Sequence, residues 1–276
     1  MISKIEIKDL VVDFNERGQN HRALDGISLS VPGGQFVSIV GSSGCGKSTL
    51  LSVLEGLTCP SSGVVSIDGK VITSDGKIVS GPGLDRGVVF QQYSLFPWMT
   101  ARENVIFGVK QSKRGLSNRA IREIADTYLA KVGLADAANR YPSRLSGGMQ
   151  QRVAIVRALA MDCEILLMDE PFGAVDARNR VILQELLLDL WAHESTRKTV
   201  VFVTHDLDEA IFLSDRIILL TDSPGRVRRD IPVQFPRPRY REELMRSVVY
   251  DDYRRELYAD FFGDHHREAA SGEVMI

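Results

Sequence analysis

Short, nearly continuous apolar runs recur along the chain: Phe36-Val37-Ser38-Ile39-Val40, Arg86-Gly87-Val88-Val89-Phe90, Ile165-Leu166-Leu167-Met168, Thr199-Val200-Val201-Phe202-Val203-Thr204 and the stretch Arg216 to Leu220. Runs of this length without a polar alternate read as strands buried on both faces of a parallel sheet. Segments with helical spacing lie between them. Met149 to Met161 places Val153, Ile155, Val156, Leu159 and Ala160 on its apolar positions, and Arg119 to Lys131 is strongly patterned. Further helices are predicted at Leu50 to Leu54, Arg178 to Trp191 and Leu207 to Leu213. Strands alternating with helices predict an α/β fold whose parallel sheet is covered on both faces. Residues 1 to 40 read as strands and turns. Residues 63 to 90 read as further short strands, broken by Asp68-Gly69, Asp75-Gly76 and Gly81-Pro82-Gly83. The mostly helical stretch from 100 to 160 reads as an inserted lobe.

Composition narrows this frame. With 276 residues, 44% hydrophobic and 25% charged, the chain suffices for one large α/β domain with a modest appendage. A net charge of −2 gives no electrostatic case for nucleic acid. Cys45, Cys59 and Cys163 are an odd, sparse set that fits a reducing cytoplasm. Nothing resembles a signal peptide, and no apolar stretch approaches the ~18 residues needed to cross a bilayer. Any membrane part would have to belong to a partner.

Chemistry enters at Gly41-Ser42-Ser43-Gly44-Cys45-Gly46-Lys47-Ser48-Thr49, which fits G-x-x-x-x-G-K-[ST] between a strand and a helix. Glycines let successive backbone N–H groups approach a polyphosphate at a helix N-terminus that already favours anions. Lys47 would reach the β and γ phosphates, and Ser48 would offer its hydroxyl to Mg²⁺. The loop should also lower the pKa of Cys45, so that thiol reagents inactivate the protein and ATP protects it. A second half-site follows the run that ends in Asp169-Glu170. There Asp169 would hold Mg²⁺ through its water shell, and Glu170 would accept a proton from attacking water. A third signal is Leu145-Ser146-Gly147-Gly148-Met149, in which Ser146 is a good N-cap for another anion-receptive helix. Two phosphate sites with one acidic strand suggest a shared nucleotide.

In these motifs and their order the chain resembles the ATP-binding subunits of ABC transporters over roughly residues 1 to 235. The resemblance implies a P-loop NTPase (RecA-like) parallel sheet core with an N-terminal antiparallel β subdomain and an inserted helical lobe. The core would comprise 1–91 and 162–235, the lobe 92–161, and a C-terminal helical extension 236–276, with a disordered tail from residue 264. It further implies ATP hydrolysis with Mg²⁺, and a second copy or a paralogous ATPase subunit whose Ser146, Gly147 and Gly148 cap the γ-phosphate. Asp176 would lie in the loop crossing to that partner. Gln91 would touch Mg²⁺ and the attacking water, and His205 would sense the γ-phosphate. Phe14 either stacks on adenine or belongs to the core. Met149, Arg144 and Val175 depart from the commonest pattern without removing a phosphate donor.

Transmembrane permease subunits, a separate solute-binding protein and a peripheral position on the cytoplasmic face of the inner membrane come with the same resemblance. Gly81-Pro82-Gly83, Arg86-Gly87-Val88-Val89-Phe90, Leu95-Phe96-Pro97-Trp98 and Ser223-Pro224-Gly225-Arg226-Val227 are similar to the bacterial importer branch serving nitrate, sulfonates and taurine. The alternative is a soluble ABC ATPase acting on a non-membrane partner. Tyr93 to Met99 forms either a docking groove for a membrane subunit or local lobe packing. Arg226, Arg228, Arg229, Arg237, Arg239 and Arg241 read as a solvated basic edge, the alternative being contact with anionic lipid.

Overall fold

The computed structural model describes residues 3–16, 19–112, 115–161, 163–193 and 197–271, with side chains for all of these except Glu16 and residues 262–271. β1 (Ser3–Glu16) and β2 (Gln19–Pro32) pair as a long antiparallel hairpin. β3 (Phe36–Val40) leads through the glycine-rich loop into α1 (Lys47–Glu55). β4 (Ser62–Ile67), β5 (Lys70–Ser74) and β6 (Lys77–Ile78) extend the hairpin into an antiparallel sheet of order β2-β1-β4-β5-β6. After β7 (Arg86–Val89) comes the lobe: α2 (Ala101–Ser112), α3 (Asn118–Lys131), two short 3₁₀ turns and α4 (Gly147–Ala160). The chain then runs through β8 (Ile165–Asp169), α5 (Ala177–Ala192), β9 (Thr199–Thr204), α6 (Leu207–Leu213), β10 (Arg216–Leu220) and β11 (Val227–Pro232). The extension supplies α7 (Arg241–Met245) and α8 (Val248–Ser271). The tail expected to be disordered from residue 264 meets α8 as far as Ser271; residues 272–276 lie outside the described residues. Among the described residues no helix is long and apolar enough to cross a membrane.

The second sheet has the order β11-β10-β3-β9-β8-β7 and is parallel except at β11. Period-two geometry explains its unbroken apolar strands, because alternate residues feed two different cores. Phe36, Leu166, Met168, Val200, Phe202, Ile217 and Leu219 join the core shared with α4, α5 and α6. Val37, Ile39, Ile165, Leu167, Val201, Val203, Ile218 and Leu220 join the core shared with α1 and the antiparallel sheet. Ser38, the polar residue inside the first run, is fully buried and is satisfied by the Ser214 hydroxyl. Trp191 on α5 anchors one face: it meets Phe36 edge-on at 5.6 Å, and its indole N–H donates to Lys198 O at 2.7 Å.

The arginine-rich segment is a solvated edge only in its first half: the side chains of Arg226 and Arg229 are 63% and 40% exposed, whereas the second half turns inward. The side chains of Arg237, Arg239 and Arg241 are 12%, 0% and 12% exposed. Arg237 stacks on Trp191 and pairs with Asp215, and Arg241 stacks on Phe212 at 4.0 Å. Arg239 donates to Phe212 O and Ser214 O at 2.9 and 2.8 Å. Burial, with Arg237 beside it, pushes Arg239 down to about 10. Charge runs predict solvent exposure only when no carbonyls or aromatic faces await them in the fold.

One buried acid makes the core pH-sensitive. Glu55, at the end of α1, is pushed up to about 6 from an ordinary 4.5 by burial and by the charge of Asp169, against Arg86. Between these values the native state holds a proton that the unfolded chain has already lost, so stability falls as pH rises through this window. Glu55→Gln is expected to stabilise the protein by about 1–2 kcal/mol at pH 8, a difference that fades below pH 5. Urea unfolding at the two pH values measures it.

Candidate active site

The C-terminal ends of β3, β9, β8 and β7 are adjacent, so the residues that follow them emerge along one rim of the sheet. That rim is where ligands bind in open parallel sheets. It brings together the loop 41–49, His205, Asp169-Glu170 and Gln91. A cleft of about 460 Å³ lies there, floored by Ser43, Gly44, Gly46, Lys47, Ser48 and Thr49 and walled by Gln91, Asp169 and Glu170. The β1–β2 hairpin closes the far side with Phe14, 38% exposed, and its register partner His21. His21 and Ala23 were not anticipated; only the hairpin register opposite Phe14 could have pointed to them.

Helix α1 differs from its neighbours in how it starts. α4, α5 and α6 are capped by Ser146, Asp176 and Asp206, whose side chains accept from Met149 N, Asn179 N and Glu209 N. α1 begins at Gly46 with φ 98° and no side-chain cap. A Cβ at Gly46 would sit 2.7 Å from Ala23 O and 2.6 Å from Leu24 Cδ2, so only glycine fits. The first N–H groups of α1 thus have no capping side chain, which suits them to an anion. The Lys47 ammonium donates to Gly41 O and Ser42 O at 2.8 and 2.7 Å and lies 4.0 Å from Glu170 Oε1. The Ser42 hydroxyl bonds Asp222, a loop partner that sequence spacing could not reveal.

Across the cleft, Ser48 Oγ donates to Asp169 Oδ1 at 3.0 Å. Burial pushes the Asp169 carboxyl above the usual range; the Ser48 bond and Lys47 oppose this, and the Glu170 charge adds to it. Glu170 takes the left-handed backbone, φ 40°, rare for a side chain of its kind. The conformation is pinned by Glu170 N donating to Val203 O and Gly173 N donating to Glu170 O, both at 3.0 Å. Its Oε2 lies 3.1 Å from His205 Nδ1. Gln91 Nε2 is close to Gly173, 3.0 Å from where a Cβ would stand.

Ser146, Gly147, Gly148 and Asp176 are absent from this cleft lining. They cluster elsewhere: Gly148 abuts Asn179, which donates to Asp176, and Tyr93 bridges Gly147 and Ala174. The sequence-predicted residues therefore fall into two groups on one chain.

Cys45 behaves differently from expectation. Its side chain is fully buried, and burial pushes the thiol up, outweighing Lys47 and the loop N–H groups. A buried, protonated thiol is unreactive. Alkylation followed by mass spectrometry is expected to modify exposed Cys59 and spare Cys45, with or without ATP.

Comparison with known proteins bears on this geometry. The family model for ABC transporters matches residues 24–173. A putative ATP-binding protein of Brucella abortus is 52% identical over 239 residues, covering 87% of this chain and 86% of its own. The nitrate import ATP-binding protein NrtD of Synechococcus elongatus is 44% identical over 247 residues, covering 88% and 87%. The bicarbonate transport ATP-binding protein CmpD of the same species is 46% identical over 235 residues, covering 85% and 81%. The dimeric structure of the MJ0796 ATP-binding cassette in a post-hydrolysis state, bound to ADP and Pi, superposes with a TM-score of 0.71 at 34% identity, covering 84% of this chain and 100% of that one. A P-loop cleft, an acidic strand end and these relatives lead to one conclusion: the chain belongs to the ABC transporter family and is an ATP-binding subunit that hydrolyses ATP.

Proposed function

We propose that the chain powers an importer for a small anion such as nitrate, a sulfonate, taurine or bicarbonate. It does so by hydrolysing ATP between two copies of itself, or beside a paralogous subunit, on the cytoplasmic face of a bacterial inner membrane. The observation that carries the two-subunit reading is the division of the residues into a cleft and a separate Ser146–Asp176 cluster. The start of α4 is a second anion-receptive helix end, with no acidic residue in its first turn. A head-to-tail pair with a two-fold axis brings each such helix end to the other copy's cleft. That the MJ0796 cassette is dimeric with ADP and Pi bound supports a two-copy reading.

Within each composite site, the N–H groups of Gly41 to Thr49 and Lys47 bind the phosphates, while Phe14 stacks on the base. Ser146, Gly147 and Gly148 of the second copy cap the γ-phosphate, and Asp176 orders the junction. Glu170 accepts the proton of the attacking water, His205 holds the γ-phosphate, and Gln91 links the water to the lobe. Ser48 and Asp169 fit Mg²⁺: a hydroxyl and a carboxylate at 3.0 Å are hard oxygen donors, and the burial that penalises the Asp169 charge favours a cation beside it. Magnesium takes few protein ligands beside water and phosphate oxygens, and Gln91 lines the same cleft. Bound there, Mg²⁺ supplies charge neutralisation at the β and γ phosphates.

Coupling to the membrane subunits is assigned to the lobe surface after Gln91. Trp98 is 69% exposed, with Phe90 and Phe107 also partly open, whereas Phe96 packs against both Trp98 and Phe107 at 5.5 and 4.7 Å. The segment thus has a packed base and an exposed aromatic tip suited to a docking helix.

Affinity purification of the tagged chain from its native membranes tests the reading. A multi-span membrane protein is expected to co-purify. In proteoliposomes with the solute-binding protein, ATP turnover is expected to rise with one of these anions. Recovery with ribosomes or DNA and without a membrane partner would overturn it.

A further inference from the structure

Both ends of α6, the helix that follows His205, are held by one five-residue stretch of the C-terminal extension. At its C-terminal end Arg237 donates to Leu213 O at 2.7 Å and Arg239 to Phe212 O and Ser214 O. At its N-terminal end a buried chain of hydrogen bonds leads back to the same segment. Arg241 donates to Gln184 Oε1 on α5, and Gln184 Nε2 donates to Glu209 Oε1 at 2.8 Å. Thr204 Oγ1 donates to Glu209 Oε2 at 2.7 Å and accepts from Asp206 N at 3.0 Å. Asp206 in turn accepts from Glu209 N at 3.1 Å. Gln184, Glu209 and Thr204 are 2%, 7% and 2% exposed, so no water competes for these bonds. The residue between Thr204 and Asp206 is His205. Its exposed side chain hangs on two neighbours whose positions the chain defines.

We propose that Arg241 is a positioning residue for ATP hydrolysis: through Gln184 and Glu209 it fixes Thr204, and with it the peptide that aims His205 at the γ-phosphate. The inference rests on the reading of His205 given above. It gives the extension beyond residue 236 a task in turnover, although it contributes no residue to the cleft lining. A histidine on an unpinned turn would still be present but displaced, and displacements near 1 Å are costly for a group that acts only when aligned.

Steady-state ATPase kinetics on the purified full-length chain test this in a double-mutant cycle. Arg241→Ala is expected to lower kcat about tenfold while KM and nucleotide affinity stay within about twofold. Arg241→Lys, which retains one N–H donor for Gln184, is expected to recover kcat to within about threefold of the parent. In a His205→Ala background, Arg241→Ala is expected to have no further effect. Gln184→Met interrupts the chain at nearly constant volume and is expected to reproduce the kcat loss. An equal fold-loss from Arg241→Ala in both backgrounds, an unchanged kcat, or a loss of nucleotide binding that lysine does not rescue would overturn the proposal while leaving His205 in its role. An unchanged kcat in His205→Ala alone would remove that role, and the proposal with it.

Discussion

Glu170→Gln is expected to cut ATP turnover by at least about 100-fold while nucleotide binding stays nearly unchanged. The carboxylate is 22% exposed at the end of a buried strand, on a backbone conformation that its neighbours enforce through two hydrogen bonds. Glutamine keeps the shape and offers an oxygen to His205, so the cleft and its phosphate loop should survive. What it cannot do is take a proton from water. Binding without hydrolysis should then trap the ATP-bound pair, visible as a dimer peak in size exclusion with ATP and Mg²⁺. Phosphate release at a near-parent rate would remove Glu170 from its role.

Gly148→Asp is expected to produce an equally large loss by a different route, about 100-fold in turnover, with single-chain ATP affinity and melting temperature preserved. A Cβ at Gly148 stands 3.4 Å from Asn179, close but not prohibitive, and the backbone there is not left-handed. Aspartate in the first turn of α4 is favourable to its own helix. The damage is confined to what approaches that turn from outside, where a carboxylate would face the γ-phosphate of the other copy. If turnover persisted while the protein remained folded, Gly148 would not face a phosphate, and the two-copy reading would fail.

The elements most legible in the sequence were those whose physics is local. β3, β8, β9 and β10 are nearly continuous apolar runs, and the helix at 207–213 ends where its pattern ends. The phosphate loop, Asp169-Glu170, Gln91 and His205 follow strand ends, so the parallel direction of the predicted strands sufficed to bring them to one rim. β11 was hidden because Val227-Arg228-Arg229-Asp230-Ile231-Pro232 carries too few apolar positions to signal a strand. The arginines at 237–241 misled for a related reason: Asp215, Trp191 and the α6 carbonyls that take them in lie 22 or more residues away. Cys45 misled because the loop N–H groups are visible in the sequence while the packing that desolvates the thiol is not.

β11 also bears on how copies of this molecule avoid one another. An open parallel sheet offers an unpaired rim on which another chain's strand could grow. Here that rim is taken by an antiparallel strand that ends in Pro232, and Arg229 ties it to Glu256 and Asp260 of α8. A strand so charged, proline-ended and overlaid by a helix is a poor template for aggregation. Self-association through extended pairing is suppressed on that flank of the sheet.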